Sequence, residues 1–158
     1  MSALLLSLHV VAAIVAIGPI CVAASMFPAE ARRALDREEG TVGDGDAASR
    51  LRVLARICRV YAAVGIAVPV LGLMTGSAMG VLTEVWVIVS VVLTLAAFVV
   101  LAAVVLPRQQ ALLARMGTGE GTGPRAVARL AAATGVFNLL WVTVTVLMIV
   151  RPGSTTGV

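Results

Sequence analysis

Apolar residues in this chain do not alternate with polar ones; they run in long, nearly unbroken stretches. Four stretches reach the roughly 20 residues a helix needs to cross a bilayer: about 3–27, 60–79, 85–106 and 130–150. Polar residues gather in two long connections, 28–59 and 107–129, and in the short turn "SAMGVLTE". The pattern predicts an all-α fold, a single polytopic membrane domain of four transmembrane helices spanning 1–158.

Composition sharpens this. Hydrophobic residues make up 60% and charged residues 13%, and mean hydropathy is +1.05, against about 45–50% apolar and about 25% charged in soluble domains. A chain of 158 residues cannot bury that much apolar surface in itself, so lipid must solvate the rest.

Charge then sets the expected orientation. All 12 basic residues are arginine and the net charge is +4. The arginines flank apolar stretches, which is a membrane-topology use of charge and speaks against nucleic acid as a partner. Arg32, Arg33, Arg37, Arg50, Arg52, Arg56 and Arg59 lie in the first long connection, and Arg108, Arg115, Arg125 and Arg129 in the second. Arg151 alone lies elsewhere. The positive-inside rule places both connections in the cytoplasm and both termini outside the cell's inner (plasma) membrane. The first stretch lacks a basic leader and its arginines follow it, so it reads as a retained anchor rather than a cleaved signal. Trp86, opening the third stretch, is placed for an interfacial aromatic, and Trp141 for packing on a neighbouring helix.

The two connections resemble one another. Each starts with a proline and a short helical run, "PAEARRALDREE" and "PRQQALLARM". Each passes a glycine-rich tether, "GTVGDGD" and "GTGEGTG", and enters the next span with arginines four apart, Arg52 and Arg56, Arg125 and Arg129. "RVYAAVGI" from Arg59 matches "RLAAATGV" from Arg129, with Gly65 and Gly135 each six residues on. The reading is two similar hairpins in parallel orientation. Arg52, Arg56 and Arg59 share one helix face and, with Arg125 and Arg129, should sit at the anionic inner leaflet.

Candidate chemistry is sparse. In span two, Gly65, Gly72, Gly76 and Gly80 form a small-residue stripe for close helix packing, within the chain or against a second copy or another membrane protein. Pro69 should clash with the Gly65 carbonyl and kink this helix. Span one has a break signal at Gly18–Pro19. The only histidine, His9, lies about two turns inside span one, and Glu84 at the start of span three is its candidate polar partner. A haem b or copper site would need a sulfur ligand beside His9, and Met74 and Met79 are at suitable depth. With one histidine, bis-histidine haem is excluded. Asn138 is nearest the midplane and expected to bond another span, while serine and threonine hydroxyls can bond their own helix. Cys21 and Cys58 have neither disulfide-framework nor zinc spacing. No catalytic triad, intramembrane carboxylate pair, "HExxH" or phosphate loop is present, so no enzyme is expected.

The opening "LHVVAAIVAIGP", the segment "RVYAAVGIAVPVLG", the tryptophan of span three, "VVLP" and the ending "VLMIVRPG" together resemble the actinobacterial form of a bacterial family of predicted four-helix integral membrane proteins, domain of unknown function 2269. "LH" followed by Gly18 is also similar to the first span of CopD-type copper-resistance membrane proteins, whose further histidines this chain lacks. The family resemblance implies four helices in the inner membrane and no established activity. The expectation is a non-enzymatic accessory or interaction subunit that packs through the glycine face of span two. The alternatives are a haem- or copper-binding module built on His9, with no cofactor as the simplest case, and a small oligomeric transporter.

Overall fold

The structure, a computed structural model, describes residues 2–35, 44–118 and 123–153, so the glycine-rich tethers lie largely outside the described residues. All its regular elements are helical: α1 Ser2–Leu35, α2 Asp44–Gly65, α3 Ala67–Met79, α4 Val85–Val99, a π-helical segment Val100–Val105, α5 Leu106–Gly117 and α6 Pro124–Val150. Followed through their junctions, these give four helices long and apolar enough to cross a membrane: Ala3–Leu35, Asp46–Met79, Val85–Met116 and Pro124–Val150.

The helices outrun the apolar stretches. α1 has 34 residues, about 51 Å at 1.5 Å per residue, against a hydrocarbon core of about 30 Å. The run after Pro28 extends the first helix as far as Leu35. The described residues of both connections are almost all helix.

Proline acts differently at each position. Its ring removes one backbone donor and crowds the carbonyl four residues back. At Pro69 that carbonyl belongs to Gly65, and there the helix breaks: Ile66 forms a turn whose N–H reaches the Ala63 carbonyl at 3.3 Å. At Pro107 the strain is absorbed upstream. The π segment re-pairs the backbone so that the Leu106 N–H reaches the Leu101 carbonyl, five residues back. At Gly18–Pro19, where the sequence suggested a break, α1 runs on without one, as it does at Pro28. Span four, without proline, is one uninterrupted helix. The two hairpins thus share arginine spacing but not helix form.

α1 lies along α2 and α3 on one side and α6 on the other; α4 and the π segment lie on α6, and α5 closes against α2 at the arginine-rich end. Close approach of α1 is made by small residues, Ala16, Ala23, Ala24 and Ala31, interleaved with the fully buried Ile20 and Phe27. Leu51, Ala55 and Cys58 of α2, Leu101 and Val105 of the π segment, and Leu130 and Phe137 of α6 complete one continuous apolar core. Trp141 packs edge-on to Phe98 and Phe137, with ring centroids 6.3 and 6.4 Å away. Every span keeps large apolar side chains on its outward face, among them Ile14, Val70, Val92 and Leu139, as a lipid solvent requires.

Candidate functional site

His9 is buried in the half of the bundle remote from most of the arginines. Its Nδ1 lies 3.0 Å from the Val68 carbonyl. A carbonyl only accepts, so Nδ1 carries a proton, and in the neutral ring Nε2 keeps its lone pair. The imidazole lies against the α3 backbone at Gly72, where a methyl group would stand 2.9 Å from His9 Cε1. Gly72 is therefore the seat of the ring.

The structure does not bring Glu84 to His9. Glu84 is exposed at the N-terminus of α4, where its backbone carbonyl accepts from the N–H groups of Val87 and Ile88. The imidazole is turned instead to α3, whose carbonyl offers the bond at closer range. Met74 and Met79 are also exposed, 50% and 37%, while the ring they were to join is buried. On α3, Met74 lies two positions beyond Gly72, some 200° round the helix, so its sulfur leaves from another face.

The glycine stripe is filled from within the chain. A methyl group on Gly65 would meet Phe98 at 3.5 Å and Ile17 at 3.7 Å, and one on Gly76 would meet Leu82 at 2.8 Å. Of the two uses expected of this stripe, packing within the chain is the one these neighbours show: three of its four glycines face their own chain. Gly80 serves differently. It ends α3 in the left-handed conformation, φ 70°, its N–H reaching the Gly76 and Ser77 carbonyls, a C-cap that suits glycine.

Other buried polar groups cluster in the same half as His9: Thr75, Ser90 and Thr94, with the indole of Trp86. The hydroxyl of Thr75 donates to the Leu71 carbonyl, and Thr143 and Thr145 bond their own helix likewise. Ser90 and Thr134 do not; their hydroxyls, like Trp86 Nε1 and Trp141 Nε1, have no hydrogen-bond partner among the described residues. Trp86 is covered on its π-face instead, by the Arg151 guanidinium at 5.7 Å.

A second polar feature lies where α1 meets α6. Asn138 donates from Nδ2 to the exposed Ser25 hydroxyl at 3.0 Å, on the lipid-facing side of the bundle, while Asn138 Oδ1 is buried and has no partner among the described residues. Gly18 and Ser25, seven residues apart, share a face of α1, and Gly135, Asn138 and Val142 share one of α6. Gly18 and Gly135, unlike the stripe in α3, have nothing within 4 Å of an added methyl group. The seam is thus polar at its centre and open on both flanks. The sequence marked Asn138 as a polar group at midplane depth, Gly18 as a break signal and Gly135 as a repeat match, but neither glycine as an open position on a helix seam.

The third feature is the arginine-rich end. Arg52, Arg56 and Arg59 form a face of α2 and border a groove of about 280 Å³ floored by Ala55 and Leu113. A second groove, about 260 Å³, runs between α5 and α6 with Arg108, Arg115 and Arg129 around Leu112 and Ala126. Arg108 ties its walls together by donating to the Arg129 carbonyl at 3.2 Å. Arg125 is exposed and borders neither groove. The sequence reading used Arg108 and Arg115 only as topology charges, though their seven-residue spacing, which repeats one helix face, was the available signal for a groove. It also passed over Gln109, fully buried on α5, whose Nε2 points at Cys58 Sγ at 3.6 Å.

Three residues past the first apolar stretch, Glu30 is paired with Arg33 at 2.7 Å and with Arg50 at 3.2 Å, linking α1 to α2. Local desolvation pushes its carboxyl upward, but the hydrogen bonds and charges of the two arginines outweigh this and hold it below its usual range.

A family model described as predicted integral membrane protein (DUF2269) matches residues 3–152. No curated protein and no solved structure matches the chain.

Proposed function

The chain belongs to the DUF2269 family of predicted integral membrane proteins, and from that premise we propose that it is a non-enzymatic accessory subunit whose α1–α6 seam receives a transmembrane helix of a partner membrane protein. The observation that carries this is the Ser25–Asn138 pair. Polar side chains at a lipid-facing seam are costly, and interhelical hydrogen bonds are a usual remedy. Here the Ser25 hydroxyl is exposed and accepts from Asn138, and the flanking Gly18 and Gly135 leave room for a backbone to approach. A helix presenting a serine, threonine or amide group would bond the exposed Ser25 hydroxyl. The buried imidazole of His9, engaged with a backbone carbonyl, fits a structural group within such a subunit. On this reading the protein sits in the inner membrane with its arginine-rich end in the cytoplasm.

The test is the mass of the complex in mild detergent, measured by light scattering, for the native protein and for Asn138→Leu. The native chain should elute with a stoichiometric partner and N138L without it, while N138L retains its helicity. Equal complexes in both, or a monomer in both, would remove the seam from the account.

A further inference from the structure

The two arginine grooves point to a ligand that the seam does not involve. We propose that each groove binds the phosphate-bearing headgroup of one anionic phospholipid from the leaflet at the arginine-rich end, giving two lipid sites per chain on either side of α5. The grooves lie on opposite faces of α5, since Arg108, Leu112 and Arg115 recur at helical spacing on one face and Gln110 and Leu113 on the other.

Charge, chemistry and depth each select this ligand. Each groove gathers three guanidinium groups, and the ion pairs among the described residues belong to Glu30 with Arg33 and Arg50, not to any of these six arginines. Three like charges around one concavity repel, and an anion seated among them relieves that repulsion. Guanidinium forks suit phosphate oxygens, which accept paired N–H bonds. The floors are apolar: Ala55 and Leu112 are buried, beside Leu113 and Ala126. A free phosphate has no use for such a floor, whereas the glycerol and first methylenes of a lipid do. Depth agrees as well. Arg59 directly precedes the apolar run of span two and Arg108 follows that of span three, so both grooves open at headgroup level. Basic pockets between helices at this level suit anionic headgroups. At about 260 and 280 Å³ each holds a headgroup rather than a whole lipid. General attraction of arginines to an anionic surface would not need the Arg108 bond to the Arg129 carbonyl, which holds one groove in shape.

The experiment is native mass spectrometry of the full chain in mild detergent with added phosphatidylglycerol, phosphatidylcholine or inorganic phosphate. The native protein should retain two phosphatidylglycerol molecules, with affinity roughly tenfold or more above phosphatidylcholine, given about 1 kcal/mol per arginine near an anionic surface. R52Q/R56Q/R59Q and R108Q/R115Q/R129Q should each retain one, and the combined variant none. Equal retention of both lipids by the native chain overturns the proposal without any variant. So does a count of two that survives in both triple variants, or displacement of the lipid by millimolar inorganic phosphate, which would assign the grooves to soluble phosphate. None of these outcomes bears on the Asn138 seam, whose test reads a protein partner.

Discussion

Two glycines of one helix face make opposite predictions because their neighbours differ in freedom. At Gly72 an added methyl group meets His9 Cε1 at 2.9 Å, on a buried ring anchored to Val68. At Gly76 it meets the end of Leu82 at 2.8 Å, on an exposed side chain that can swing away. Gly72→Ala should therefore cost about 1–3 kcal/mol, as overpacking does, while Gly76→Ala should be near neutral; thermal unfolding in detergent reads both. In a His9→Ala background the cost of Gly72→Ala should fall sharply, a coupling that a double-mutant cycle measures directly. Equal costs in the two backgrounds would mean the ring does not need the glycine. His9 was legible from the sequence as a buried polar group needing a partner, but the partner was not. A backbone carbonyl leaves no trace in side-chain identity, so Glu84 looked the better candidate until the geometry showed it exposed. The glycine stripe was legible as a packing face, yet the identity of what packs on it, Phe98, Ile17, His9 and Leu82, depends on folding of the whole chain.

At the scale of elements, the four spans follow directly from apolar length, and the break at Ile66 from Pro69, whose ring faces the Gly65 carbonyl. Pro19, Pro28 and Pro107 carry the same local signal without a break, since neighbouring packing or a π turn can absorb one lost bond. Nothing in "VLAAVV" marks the π segment. Pro69→Ala restores the missing donor, so the helix should close through Ile66, and amide exchange around residues 66–69 should slow; unchanged exchange would place the cause of the break elsewhere. The clasp between α1 and α2 is electrostatic. Glu30 has its carboxyl held below the usual range, so the contribution of the pair is present above the ordinary glutamate pKa, near about 4.3, and is lost as pH falls through the lowered value. Acid titration of thermal stability should show this loss in the native chain and not in Glu30→Gln. The effect should be small, because Arg33 and Arg50 are largely exposed.

The whole molecule is a lipid-solvated bundle fastened differently at its two ends. The arginine-rich end carries the Glu30 clasp and two cationic grooves. The other end is joined by Arg151, which stacks on Trp86 and so ties the end of α6 to the start of α4. Arg151→Gln should cost about 0.5–1 kcal/mol, the range for an accessible cation–π contact, and thermal unfolding would show it; an unchanged transition would mean the stack contributes nothing. Between the ends, the open α1–α6 seam is where this bundle is least finished by its own chain. Site-specific photocrosslinking in intact membranes tests that most directly. A photoreactive residue at Val22 or Val142, flanking Ser25 and Asn138, should yield a discrete protein adduct that disappears in Asn138→Leu, and one at Val92, exposed on α4, should yield none. Adducts to lipid alone at all three positions, or the same protein adduct from Val92, would contradict the account.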